Sequence, residues 1–397
     1  MPIYLDHAAT TPLRPAARDA WLAAHERVGN PASIHAHGQS ARASLESSRD
    51  RLARHLGAQA IEVVLTSGGT ESINLAIKGF WWAANPVPGA PARPRILTTR
   101  AEHHATLDAV EWLVAHQGAE AEFVPVDARG CVDLDALERL LADGADRTAV
   151  ISVLHANNEV GTVQPVAELG ELGRRFGVPV HIDAVASLGH EDVDLRGWGV
   201  QAVSVSAHKV GGPVGVGALV VSRDATLEAL VHGGGQQRGL RSGTQDVGGA
   251  AAFAAALDEA ADPAERERLR GLRDALIQGI REAIPEARLR GAEPADGADP
   301  RLVNNVHFTF PGAQGDSLLY LLDMAQLSAS TGSACQAGIP EPSHVLLAMG
   351  DDEATARGAL RFTLGWDSTS ADVAALLDAL PAAYNTARRA GLSNRPR

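Results

Sequence analysis

Only two lysines occur among the 397 residues, Lys78 and Lys209, so any chemistry that needs a primary amine has two candidates. Lys78 precedes Gly79 and reads as a cation near a helix C-terminus, with the glycine ending the helix. Lys209 is different. It lies in Ser206-Ala-His-Lys209, after a β-branched run and before the glycine-rich turn 211–217. A lysine there can form a Schiff base with a carbonyl cofactor, although alone it could be an exposed loop residue. Asp183 closes His181-Ile-Asp183, where a carboxylate suits a protonated pyridine nitrogen. Ser67-Gly68-Gly69-Thr70 passes from a strand into a helix, so free N–H groups and the helix dipole could hold a phosphate. The same residues could be a plain N-cap. His103 follows the run Ile96 to Thr99 and could stack on a planar ring; paired with His104 it is a poor metal site, because consecutive side chains diverge.

Two further residues are candidates for chemistry. Cys335 lies in Ser330-Thr-Gly-Ser-Ala-Cys335-Gln-Ala-Gly338, a run of small residues in which a loop thiol would be exposed. Cys131, the other of two cysteines, reads as a buried small hydrophobe. Two cysteines cannot make a disulfide framework. Arg361 alternates with apolar neighbours in Leu-Arg-Phe-Thr-Leu364, as a strand residue does, and could grip a substrate carboxylate or form a structural salt bridge.

The elements that must position these residues form an α/β pattern. Candidate strands are Ile61–Leu65, Ile96–Thr99, Ala121–Val126, Ala149–Leu154, Val178–Ile182, Ala202–Ser206 and Val216–Val221. Helical patterns separate them over Ser72–Ala83, Thr106–His116, Leu134–Leu141 and Val166–Phe176. The alternation predicts one mostly parallel, seven-stranded sheet sandwiched by helices, with ligands at the carboxyl ends of its strands. An Ala-rich helix over Val247–Ala260 follows. Asp262-Pro-Ala-Glu265 then starts another, whose apolar face is Leu269, Leu272, Leu276, Ile280 and Ile284. A domain boundary is expected near residue 261, followed by a smaller α+β domain with a strand at Asn305–Phe310 and helices near Ser317–Leu322 and Ala371–Ala379.

An amine, an acid, an imidazole and a phosphate nest at the strand ends of one sheet favour pyridoxal 5'-phosphate. No G-x-x-x-x-G-K-[ST] run and no strand-linked G-x-G-x-x-G is present, which argues against a kinase-like or nicotinamide reading. A net charge of −13 without a segregated basic patch argues against a nucleic-acid partner. The longest apolar run, Ala250–Leu257, is far too short to span a membrane. Residues 1–12 lack the features of a secretory signal, so the cytoplasm is the expected compartment.

Long ordered motifs make the chain resemble the NifS/IscS-type cysteine desulfurases nearly end to end. They are Tyr4-Leu-Asp-His-Ala-Ala-Thr-Thr-Pro12, Thr66-Ser-Gly-Gly-Thr-Glu-Ser72, Glu102-His-His104, His155-Ala-Asn-Asn-Glu-Val-Gly161, Ser206-Ala-His-Lys209, His232-Gly-Gly-Gly-Gln236, Arg241-Ser-Gly-Thr244 and Ser330-Thr-Gly-Ser-Ala-Cys335. The resemblance implies the fold-type I, aminotransferase class V architecture: a homodimer with a large cofactor domain (15–261) and a small domain built from 1–14 and 262–397. It implies that Lys209 carries the cofactor, Asp183 meets the pyridine nitrogen, and His103 stacks on the ring with an acid/base role. Thr70, Ser206 and His208 would bind phosphate alongside Gly69, and Thr244 would reach the partner subunit's phosphate. Asn158 would lie near the cofactor phenolate and the substrate, and Arg361 would bind the substrate carboxylate. L-cysteine would become L-alanine, leaving a persulfide on Cys335 for an iron–sulfur scaffold or another sulfur acceptor. Two positions depart from the pattern. Ala186 stands where Gln usually donates to the phenolate, and Val214 replaces a common Lys in what reads as a surface turn. The competing readings are a related lyase or aminotransferase without persulfide chemistry, such as a selenocysteine lyase, and a weakly active sulfur-assembly adaptor. Cys335 discriminates against the former.

Overall fold

The computed structural model describes residues 2–87, 89–295, 297–332 and 341–393. β-branched runs buried on both faces build its main sheet. In chain order the first elements are β1 (Ile3–Tyr4), α1 (Pro15–His25), α2 (Ala36–His55), β2 (Val63–Thr66), α3 (Gly69–Ala84), β3 (Arg95–Thr99), α4 (His104–Gln117), β4 (Glu120–Val124) and α5 (Leu134–Gly144). They are followed by β5 (Thr148–Leu154), α6 (Val166–Phe176), β6 (Val180–Asp183), β7 (Ala202–Ser206), β8 (Gly217–Val221) and α7 (Val247–Ala260).

The seven-stranded sheet has the order β2-β8-β7-β6-β5-β3-β4. All neighbours are parallel except β8, which runs antiparallel to both β2 and β7. Strand period two sends alternate residues to opposite helical layers. Val63, Leu65, Ala218 and Val220 pack with Leu45 and Leu52 of α2 and Phe253 of α7. Val64, Leu219 and Val221 pack with Ile73, Ile77 and Phe80 of α3 and Val110 and Leu113 of α4. Apolar residues cover both faces, so the polar strand ends are the natural place for chemistry.

Beyond α7 come α8 (Pro263–Ala283), β9 (Arg288–Leu289), β10 (Asn305–Thr309), α9 (Gly315–Met324), β11 (Leu327–Ser328), α10 (His344–Ala348), α11 (Glu353–Ala356), β12 (Ala359–Thr363) and α12 (Ser370–Ser393). The Asp262 side chain caps α8 by accepting the Ala264 N–H at 2.9 Å, with Pro263 in the first turn. A second core gathers Leu269, Leu276 and Ile280 of α8, Phe308 of β10, Phe362 of β12 and Leu376 of α12. Leu5 joins it, because β1 pairs in parallel with β11.

Two local expectations are corrected. Gly79 does not end a helix: α3 runs through it to Ala84, and a Cβ there would meet the Glu228 carbonyl oxygen at 2.8 Å. The glycine serves close packing, and Lys78 lies within the helix with Nζ 4.4 Å from the Trp112 ring centroid. Cys131 is half-buried rather than buried, and burial raises its thiol pKa. Val214 is 78% exposed, in keeping with a surface turn.

Candidate active site

The carboxyl ends of β5, β6 and β7, the start of α3 and the segment after β1 enclose a cavity of about 510 Å³. Lys209 enters it from the 3-10 turn that follows β7. Its Nζ donates to the carbonyls of Ala8 at 2.5 Å and Ala9 at 3.0 Å. Burial, then the Arg361 charge, lowers the amine to about 8. Among the described residues this ammonium is bonded to two backbone carbonyls and to no carboxylate, and an amine so held and depressed towards neutrality is suited to become a nucleophile.

Asp183 ends β6 and lines the same cavity, where its Oδ1 accepts the Val185 N–H at 2.9 Å. Burial raises it to about 6, opposed by that N–H and by the Lys209 charge. His103 caps α4: its Nδ1 accepts the Ala105 N–H at 3.0 Å. Burial, with the Lys209 charge next, lowers its pKa to about 4, so the ring is neutral near pH 7 and Nε2 carries its proton.

The α3 N-terminus supplies the third wall. Gly68, at φ +147°, allows the sharp entry into the helix, and Gly69 and Thr70 line the cavity. Glu71 accepts the Ser67 N–H at 2.7 Å and is paired with Arg241 at 3.0 Å, which fixes the turn. Ser206 lines the same wall, and its buried hydroxyl has no hydrogen-bond partner among the described residues. His208, also on the wall, sits with Nδ1 3.2 Å from Thr10 Oγ1 and is lowered to about 4 by burial and then Lys209.

Arg361, in β12, reaches the cavity from the opposite side. Its Nη1 donates to the Asn158 carbonyl at 2.9 Å and its Nη2 to Asp6 Oδ1 at 2.8 Å. Asn158 and Ala186 line the cavity. Thr244 is exposed and does not line it. Cys335 lies outside the described residues. Ser330 and Gly332 before it and His344 after it line the cavity, and Ser330 exchanges backbone hydrogen bonds with Arg361 at 3.1 and 2.6 Å.

Reading the sequence for chemistry passed over several residues at this site. Asp6 pairs with Arg361, as above. Glu102 is wholly buried, bonded to Thr99 Oγ1 at 2.7 Å and the Leu154 N–H at 2.8 Å, and burial raises it to about 8. Glu159 accepts the Ser343 hydroxyl, and the rings of His104 and His344 lie 4.7 Å apart at the cavity wall. Glu102 lies in the motif Glu102-His-His104, and Asp6 and Glu159 lie in the motifs at 4–12 and 155–161, but none of the three is assigned a chemical role from the sequence.

The orphaned Ser206 hydroxyl beside a helix N-terminus suits a phosphate, while Lys209 without a carboxylate partner suits a carbonyl and Asp183 a ring nitrogen. These residues fit a pyridoxal phosphate. Among the described residues no cluster of His, Cys, Asp and Glu could hold a metal ion, and no helix is long and apolar enough to cross a membrane.

Known proteins agree in family and fold. The aminotransferase class-V profile matches residues 3–376. An IscS-like cysteine desulfurase of Mycobacterium tuberculosis is 50% identical over 393 residues, covering 98% of both chains. A solved NifS-like protein superposes with a TM-score of 0.86 at 32% identity, covering 97% of this chain and all of that one. A structure of SspA in complex with cysteine gives 0.77 at 29% identity, covering 92% of this chain and 99% of that one.

Proposed function

Since this chain belongs to the aminotransferase class-V family, among the IscS- and NifS-like cysteine desulfurases, we propose that it converts L-cysteine to L-alanine and carries the released sulfur on Cys335. The observation that carries the reading is the convergence of Lys209, Asp183, the α3 N-terminus and Arg361 on one cavity. Lys209 would attach pyridoxal 5'-phosphate, Asp183 would hold its pyridine nitrogen, His103 would stack on it, and Gly69, Thr70, Ser206 and His208 would hold its phosphate. When bound, that group supplies an electron sink for the bond between the substrate Cα and its proton.

The chain's own residues would do the rest. Arg361 orients the substrate through its carboxylate, with Asn158 alongside. Near pH 8 the amine of Lys209 is a usable base for the Cα proton. His103 Nε2 holds a proton that it can deliver while Nδ1 stays bonded to Ala105. The Cys335 thiolate attacks the substrate sulfur. The sulfur–sulfur bond forms as the substrate Cβ–S bond breaks, and the carbon keeps the electron pair and takes a proton. The products are L-alanine and a Cys335 persulfide, which an iron–sulfur scaffold or another sulfur-acceptor protein would receive.

We place 15–261 in a cofactor domain and 1–14 with 262–397 in a second domain. We also take the working form to be a homodimer, with Thr244 reaching the partner subunit's phosphate. Thr244 is exposed away from its own cavity, and Val28 and Ile34 leave apolar side chains 79% and 91% exposed. The deciding experiment supplies L-cysteine and a reducing thiol to the cofactor-loaded protein. Alanine and sulfide should appear in equal amounts; cysteine loss with pyruvate and ammonia instead would assign a different lyase.

A further inference from the structure

Arg361 is buried, with 5% of its side chain exposed, and a guanidinium in such a place needs a counter-charge at all times. Asp6 supplies it. The Asp6 carboxylate holds Nη2 at 2.8 Å, Nη1 is taken by the Asn158 carbonyl, and Nε is buried without a partner among the described residues. Both Asp6 and Arg361 line the cavity. Asp6 already holds one N–H of Nη2, so a substrate carboxylate gripping that edge of the guanidinium bidentately competes with Asp6 for it.

We propose that Asp6 stands in for the substrate carboxylate, holding Arg361 until an amino acid arrives and yielding that edge on binding. The inference rests on the function proposed above, in which Arg361 receives the substrate. The exchange needs only a side-chain rotation, because the backbone around Asp6 is pinned. Thr363 N donates to the Leu5 carbonyl at 2.7 Å, Ala8 N donates to Thr363 Oγ1 at 2.8 Å, and the Tyr4 hydroxyl donates to the Asp6 carbonyl at 2.9 Å. The Asp6 side chain is 21% exposed, so its carboxylate can turn towards water in the cavity. Asp6 thereby sets specificity: affinity for an α-carboxylate is the outcome of a competition, and a ligand without one does not enter it.

The test is calorimetric titration of the cofactor-loaded protein with L-alanine, and with cysteamine, which carries the thiol and amine of cysteine but no carboxylate. Asp6→Asn is isosteric and removes the charge; Asp6→Ser is a second variant should the first fold poorly. Each is made in the parent and in an Arg361→Gln background. The Kd for L-alanine should fall roughly five- to tenfold on replacing Asp6, with no gain when Arg361 is absent and no change for cysteamine. The KM for L-cysteine should fall with it. A Kd that stays within twofold or rises overturns the inference, because Asp6 would then merely orient Arg361. A gain that survives Arg361→Gln overturns it in favour of a general field effect. A parent protein that neither binds L-alanine nor forms it from L-cysteine overturns the functional reading as well.

Discussion

Glu159 accepts the hydroxyl of Ser343 at 2.5 Å across 184 positions of sequence, with only 2% of the glutamate side chain exposed. The hydroxyl in turn caps α10 by accepting the Leu346 N–H at 3.1 Å, so one carboxylate ties the loop after β5 to the helix at the cavity wall. Glu159→Ala leaves that hydroxyl without its acceptor and should cost about 1–3 kcal/mol, whereas Glu159→Gln keeps an acceptor and should cost less. Urea unfolding with an unchanged m-value checks both.

Lys209→Ala should abolish covalent retention of cofactor after borohydride reduction, with the parent labelled at Lys209 alone. Lys78 sits in mid-helix with its Nζ over the Trp112 ring and does not line the cavity. A labelled peptide containing Lys78 would refute the assignment. In the cofactor-free parent, reaction of Lys209 with an amine-selective reagent should rise with pH around a midpoint near 8, as the buried amine loses its proton.

Cys335→Ala should separate binding from sulfur transfer. L-cysteine should still perturb the cofactor absorbance, while alanine formation falls at least a hundredfold. Parent-level turnover in this variant would move the acceptor role elsewhere.

His181 is wholly buried between the hydroxyls of Ser152 and Ser204, at 2.9 and 2.8 Å, and burial lowers it to about 3. Its neutral ring is part of the folded state. The unfolded chain takes up a proton at a pKa of about 6.5 while the folded chain resists. This contribution is therefore complete above pH 6.5 and lost as pH falls towards 3, with a slope of up to about 1.4 kcal/mol per pH unit. His181→Gln should unfold less steeply with acid than the parent over that window, as followed by circular dichroism.

Ala186→Gln would place an amide on the cavity wall beside Asp183. If position 186 reaches the phenolate of the bound cofactor, a new donor there should lower the pKa of its visible band by about one unit or less, because water and the proposed Asn158 contact would take part of that role. Superimposable absorbance titrations would show that position 186 does not reach it.

Legibility in the sequence followed physical scale. β7 (Ala202–Ser206), α6 (Val166–Phe176) and α7 (Val247–Ala260) lie at the residues expected, because a β-branched run, an amphipathic stretch and a long Ala-rich apolar run each report their own burial. Helix α2 did not announce itself: it packs with Gly38, Ser48 and Ala53 beside only two buried leucines, Leu45 and Leu52. The two-residue β1 and β11 are too short to carry a period. At the site, Lys209, Asp183 and His103 could be read from their places after strands. Asp6 and Glu159 could not be read that way, since their partners Arg361 and Ser343 are 355 and 184 residues away and only the tertiary fold brings them together.

The segment after β1 gives the cavity a date of completion. On the ribosome Asp6 precedes its partner Arg361 by 355 residues, and Ala8 precedes Thr363 by as many, so each waits for that stretch to be made. At synthesis rates of about 5–20 residues per second that delay is roughly 20 to 70 s. The large sheet, complete by Val221, can form well before then, holding Lys209 without the wall that Arg361 provides. Cofactor capture during translation would thus meet a half-walled site, and the finished binding geometry arrives only once β12 is laid down.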